Sequence, residues 1–305
     1  MSDKTAPVAK VPKTSGHPIW NFPVIRDLVL KTVERWGADR IPRLAASFSF
    51  FAILSLAPFL VLSVVGLAIF YGHRESSMHA LLEGINQNFG RPVRDLVGDM
   101  IKGAMNSKAG TVAATFSIIV TFFSASNLFL QLDDAVNSIW AIELRGSFFR
   151  NLIVTRITAF IGVLIFGVAI ALWLGLDTWL GLLVKEVPTF LGWGVVKFVG
   201  SMVYLTALFS ISLRSLPKNR LTWSDVVPGA IVTGIGITIT KYLLSLYFGA
   251  FNVSAAYGSA GALVVVLLWI YYTSQVYFFG VEMTFVFATK YGSQRGREES
   301  MIQHS

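Results

Sequence analysis

This sequence predicts an all-α membrane protein: a bundle of six transmembrane helices with amphipathic interfacial helices at its faces. Three observations carry that expectation. The chain is 54% hydrophobic and only 14% charged, against about 25% charged in a typical soluble domain. Its last two apolar runs, residues 226–250 and 261–289, hold one charge each, Lys241 and Glu282. Each run exceeds the ~20 residues that a helix needs to cross a bilayer. Finally, Lys and Arg alternate in density from loop to loop, with 17 on one side of a six-span arrangement and 7 on the other. The positive-inside rule then places both termini in the cytoplasm.

The elements follow in order. Residues 1–23 carry Lys4, Lys10, Lys13 and four prolines and read as a disordered cytoplasmic tail. No apolar core of a signal peptide precedes residue 44, so none is expected. Residues 24–289 form a single membrane domain. It opens with Val24, Ile25, Leu28, Val29, Val33 and Trp36 at helical spacing, with Arg26, Lys31, Arg35 and Arg40 on the remaining surface. This predicts a helix that lies on the membrane face or docks on the bundle.

Span one covers about 44–71, is uncharged, and contains Pro58, which predicts a kink. Residues 73–108 predict two amphipathic helices broken at Gly90-Arg91-Pro92. Span two, about 109–132, is the most polar; Asn127 and Gln131 share one face, and Asp133-Asp134 ends it. Residues 133–156 predict an interfacial helix and a bend near Gly146. Span three, about 157–184, carries Asp177 between Trp173 and Trp179, residues of the interface. Span four, about 195–213, stops at Arg214 and Pro217. Span five, 226–250, holds a small-residue stripe of Ala230, Gly234 and Thr238 suited to close helix contact. Span six, 261–289, closes the bundle, and residues 290–305 form a second cytoplasmic tail.

Several chemistries are excluded. The chain has no Cys, and its four His (His17, His73, His79, His304) are scattered, so no metal centre is expected. The net charge of +8 and pI of about 9.7 are spread over several loops. That pattern fits attraction to anionic lipid headgroups and predicts the bilayer, not nucleic acid, as partner.

Beyond these patterns, a set of motifs resembles the YihY/BrkB family of bacterial inner-membrane proteins. They are the stretch from Arg40 to Pro58, Asn137-Ser138-Ile139-Trp140, Leu216-Pro217, Pro228-Gly229-Ala230, Tyr257-Gly258-Ser259, Leu268-Trp269-Ile270-Tyr271 and Gly280-Val281-Glu282. The resemblance implies a six-helix protein of the bacterial inner membrane. Members have carried the label ribonuclease BN, and some are called virulence factors. Metal-dependent RNA hydrolysis needs a cluster of His and carboxylate ligands, which this sequence does not spell; the chain is not expected to be an enzyme, nor to carry a cofactor.

Intramembrane ionisable residues are the candidate functional residues. Lys241 sits roughly 24 Å from the cytoplasmic end of span five. It either snorkels to the outer headgroups or binds an anionic group, with Asn127, Gln131, Tyr257 and Gly258 as further lining of a substrate site. Glu282 lies roughly 10 Å deep, too far from Lys241 to pair with it. Arg43 is its expected partner, with Arg214 at a similar depth, and a proton or ion relay is the sharper alternative. Asp133 is expected to be solvated, or paired with Arg150 or Arg156. Tyr257-Gly258-Ser259 reads as a tight outer turn, or as a re-entrant loop shielded from lipid. Two functions stay open. One is a transporter or flippase-like protein for an amphipathic anionic lipid or envelope precursor. The other is a membrane scaffold that binds envelope-assembly partners.

Overall fold

In the computed structural model the described residues are 21–71, 74–89, 91–105, 111–141, 192–217, 221–250 and 261–295, with positions 161, 165 and 169. Span three, the turn at Tyr257 and Gly258, and residues 1–20 and 296–305 lie outside them. The described residues form eight helices and no strand: α1 Phe22–Ala38, α2 Ile41–Tyr71, α3 Arg74–Phe89, α4 Arg91–Met105, α5 Thr111–Ile139, α6 Gly192–Ser215, α7 Trp223–Ala250 and α8 Gly261–Lys290. Two of them, over Trp223–Leu244 and Gly261–Lys290, are long and apolar enough to cross a membrane.

Local chemistry sets the ends. Pro23 opens α1, where its missing N–H costs no helical hydrogen bond. The chain reverses into α2 through Arg40, at φ 52°, a left-handed conformation that a non-glycine residue adopts only when its surroundings hold it there. Gly90 separates α3 from α4, at the break that Gly90-Arg91-Pro92 predicts. Asp133-Asp134 does not end α5, which continues to Ile139. Charges at a bilayer edge leave lipid without breaking helical hydrogen bonding, so they mark depth and not a stop.

Helix α8 is the organising element. It packs on α7, α2, α1, α4 and α5, and from Tyr277 to Thr289 nearly every side chain is buried. Around that half lies the main core, with Ile41, Trp140, Leu213, Val226, Phe278 and Phe285. A smaller core joins the two amphipathic helices to the other half of α8, through Leu81, Val97 and Ile101 against Val265 and Val266. Thus α3 and α4 cover the opposite end of the bundle from Glu282.

The α7–α8 contact is built on small residues, without which two backbones cannot approach. A Cβ on Gly229 would collide with Thr284 Oγ1 and the Gly280 carbonyl. One on Gly280 would collide with Thr233 Oγ1, and one on Gly236 would lie 2.6 Å from Val276 Cγ1. The stripe read from sequence turns elsewhere: Gly234 faces Thr206 of α6, 3.0 Å from where its Cβ would stand. Helix α7 therefore carries two small-residue faces, one for each neighbour.

Candidate functional site

The polar centre of the molecule is assembled from three helices at the end where α8 is buried. Glu282 is 0% exposed. Its Oε2 accepts a hydrogen bond from Arg35 Nε of α1 at 3.0 Å. The same guanidinium donates from Nη2 to Asp39 Oδ2 at 3.0 Å and to the Ile139 carbonyl of α5 at 3.4 Å. Its plane lies over the Phe285 ring, 4.0 Å from the centroid, and the Trp140 ring meets Phe285 edge-on at 5.1 Å. An arginine suits this place because its fork serves several acceptors while its flat face stacks on an aromatic ring. Two buried polar atoms of the cluster, Glu282 Oε1 and Trp140 Nε1, have no hydrogen-bond partner.

The expected Glu282–Arg43 pair is not formed. Arg43 is exposed on α2, and Arg35 reaches Glu282 from the side. A depth argument along the spans favours a residue at a span's own end. It overlooks the length of an arginine on an adjacent interfacial helix, whose charged head can turn inward as well as snorkel out.

Two further ties hold the same end. Asp27 of α1 is ion-paired with Lys290 at the end of α8 and accepts a hydrogen bond from Tyr291 Oη at 3.0 Å. The Lys290 hydrogen bond holds the Asp27 carboxyl below the usual carboxylate range, and burial pushes the Tyr291 phenol up. At the start of α7, Thr222 and Asp225 form a capping box: Asp225 Oδ2 accepts from the Thr222 N–H at 2.9 Å and from its hydroxyl at 2.6 Å. Asp225 also accepts from the Ser293 N–H at 3.0 Å, so one buried carboxylate caps α7 and fastens the chain beyond α8.

Between α7 and α8 lies an open groove of about 780 Å³. Its walls are mainly apolar, among them Leu244, Leu268 and Phe279, and Trp36 of α1 also lines it. Polar character comes from Thr240, Gln275 and Tyr272. In the α8 stretch that borders it, the buried Thr273 hydroxyl has no partner.

Of the residues singled out from sequence, Tyr257 and Gly258 lie outside the described residues, and the others stand on several helices. Lys241 is half-buried on α7 and is not part of the groove lining. Asn127 and Gln131 are half-buried on α5. Asp133 accepts from Asn137 Nδ2 at 3.0 Å. Arg214 is exposed and stacks on the Trp223 ring at 4.3 Å. The residues missed were Arg35, Asp39 and Trp140. Their signal was present in the i, i+4 pair of Arg35 and Asp39 next to Trp36, and in Trp140 ending a polar helix. Among the described residues no three His, Asp or Glu side chains converge as metal ligands would.

Comparison with known proteins adds an independent line. A family model described as Virulence factor BrkB matches residues 32–302. The chain is 26% identical to a UPF0761 membrane protein of Ralstonia nicotianae, over 83% of this chain and 56% of that one. It is 27% identical to a UPF0761 membrane protein of Nitrosospira multiformis, over 98% of this chain and 66% of that one. It is also 28% identical to a ribonuclease-like protein, YfkH, of Bacillus subtilis, over 78% of this chain and 87% of that one. The chain thus spans under two thirds of the length of the first two relatives. No solved structure matches.

Proposed function

Since the chain belongs to the Virulence factor BrkB family of membrane proteins, we propose that it is a six-span protein of the bacterial inner membrane, with cytoplasmic termini, that carries or flips an amphipathic anionic lipid. The observation behind this reading is the α7–α8 groove. From Val232 to Tyr247 it rises roughly 22 Å at 1.5 Å per residue. That exceeds the ~15 Å half-thickness of a bilayer's hydrocarbon core, so one acyl tail fits along it. Lys31 on α1 with Trp36, Arg40 between α1 and α2, and Arg43 on α2 are exposed and supply positive charge for an anionic headgroup.

The test is photocrosslinking in membranes with a phospholipid that bears a photoreactive tail. The expected product maps to α7 and α8 and is lost when Thr240→Trp, a change at a lining position outside the glycine contact, fills the groove at normal protein abundance. Labelling that ignores this substitution, or maps to other helices, overturns the reading. Lys241→Gln is expected to leave labelling unchanged, because Lys241 lies outside the lining.

A second reading is a scaffold for envelope-assembly partners. It is favoured by the outer face of α1, where Phe22, Ile25, Val29 and Val33 are exposed. Unlabelled groove residues together with a stable protein partner on α1 would select it.

A further inference from the structure

The charge balance around Glu282 is uneven. One guanidinium, Arg35, serves two carboxylates, Asp39 and Glu282. With both ionised, the cluster holds a net charge of −1. Other ionisable groups on the elements packed here do not enter the buried cluster. On α5, Asp133 and Asp134 add acid; Asp133 accepts from Asn137. On α7, Asp225 is engaged with Thr222 and Ser293. Arg40, next to Asp39, and Arg43 of α2 are both exposed, and on α8 itself Lys290 is paired with Asp27.

An uncompensated charge in low-dielectric surroundings is costly, and a proton removes it. The two carboxylates are not equivalent. The Asp39 side chain is 34% exposed and Glu282 is 0% exposed. Asp39 is within reach of water, whereas Glu282 has one oxygen on Arg35 and the other, Oε1, without a partner. Trp140, whose ring meets Phe285, likewise has its Nε1 buried without a partner. The two ends of the cluster are bordered by the non-glycine residues with positive φ, Arg40 at 52° and Ala141 at 47°, and such backbone strain gathers at functional sites.

We infer that Glu282 is a proton-binding site: it shares the single Arg35 guanidinium with Asp39, and that competition sets its demand for a proton. The step is a proton transfer alone. A hydronium ion gives one proton to Glu282 and leaves as water, the carboxylate becomes a carboxylic acid with one new O–H bond, and the cluster goes from −1 to neutral. This inference does not depend on the lipid groove.

The experiment is infrared difference spectroscopy of the purified full chain in detergent over a pH series, with isotope-labelled glutamate to separate its carboxyl band from that of aspartate. The expected result is a protonated-glutamate band that persists at neutral pH, where exposed glutamates, with pKa about 4.3, are ionised. It is absent in Glu282→Gln. Asp39→Asn gives a second arm that leaves Glu282 in place. Removing the competing carboxylate leaves Arg35 balanced by Glu282 alone, so the neutral-pH band disappears although Glu282 is still there. No such band in the wild type, a band that survives Glu282→Gln, or one unaffected by Asp39→Asn overturns the inference.

Discussion

Gly280 of α8 lies directly against Thr233 of α7, with no room for a β-carbon between them. Gly229 meets Thr284 in the same way one turn along. Each threonine returns its hydroxyl to a carbonyl of its own helix, Thr233 to Gly229 and Thr284 to Gly280, at 2.8 and 2.9 Å. The two threonine hydroxyls thus face the opposite glycines with their own hydrogen bonds already made. Overpacking such a contact costs about 1–3 kcal/mol. Gly280→Ala is expected to lower the thermal unfolding midpoint in detergent, and Gly280→Leu to abolish folded yield. A Gly280→Leu protein of normal stability would show that the helices are not packed this way.

The Arg35–Glu282 pair makes a second prediction. Arg35 keeps Asp39 as a partner when Glu282 is removed, so the loss is that of a buried hydrogen bond, about 1–3 kcal/mol, and Glu282→Ala should reduce folded protein in membranes. The double change with Arg35→Ala should be less damaging than the sum of the singles, since residues in direct contact couple. Arg43→Ala, at an exposed position, should stay within about 0.5 kcal/mol of wild type. Unfolding in a denaturant series on the four proteins decides the matter, and strict additivity for Arg35 with Glu282 would refute the contact.

Asp225 joins two elements, so its loss should be felt at both. Asp225→Ala is expected to lose about 0.5–2 kcal/mol through the cap of α7 and more through the freed Ser293. Limited proteolysis should then cut after residue 290 faster than in the wild type. Equal cleavage rates would mean that the Asp225–Ser293 bonds do not hold the chain.

Acid should loosen α1 through Asp27. Its carboxyl is held below the usual range by the Lys290 hydrogen bond. The folded state thus gains stability that is fully present above the ordinary aspartate range, near pKa 3.9, and is lost as pH falls through the lower folded value. Asp27→Asn should remove this acid-sensitive component while leaving Glu282 untouched. A single cysteine placed at the exposed Glu34 can carry the reporter, because the chain has no Cys. An acid response identical in Asp27→Asn and the wild type would contradict the assignment.

Topology is tested by fusing a reporter that is active only outside the cytoplasm to the chain after Lys290. No signal is expected, on the distribution of Lys and Arg. A strong signal would reject the six-span arrangement.

Helix identity was legible wherever composition alone decides it. Residues 226–250 and 261–289, read from apolar runs, correspond to helices Trp223–Ala250 and Gly261–Lys290. The α3–α4 break was visible because glycine and proline act locally. The partner of Glu282 was not legible, since Arg35 stands 247 residues away in sequence and on a helix that pattern reading leaves either on the membrane face or docked on the bundle. Nor could the pattern assign the faces of α7. Gly234 and Gly229 both mark close approach, and only the arrangement of the neighbours sends one to α6 and the other to α8.

The position of the glycine contact fixes how the last two helices can move. Gly229 and Gly280 rivet them near the end where Asp225 and Glu282 are anchored. The groove runs from Gly236 and Val276 to Tyr247 and Leu268. Two rods joined near one tip behave as tweezers: they part by pivoting, and the gap grows toward the free tips. Any admission of a bulkier guest is therefore a scissor motion with its largest travel beside Tyr247, and α4, packed on the far half of α8, rides on the moving arm.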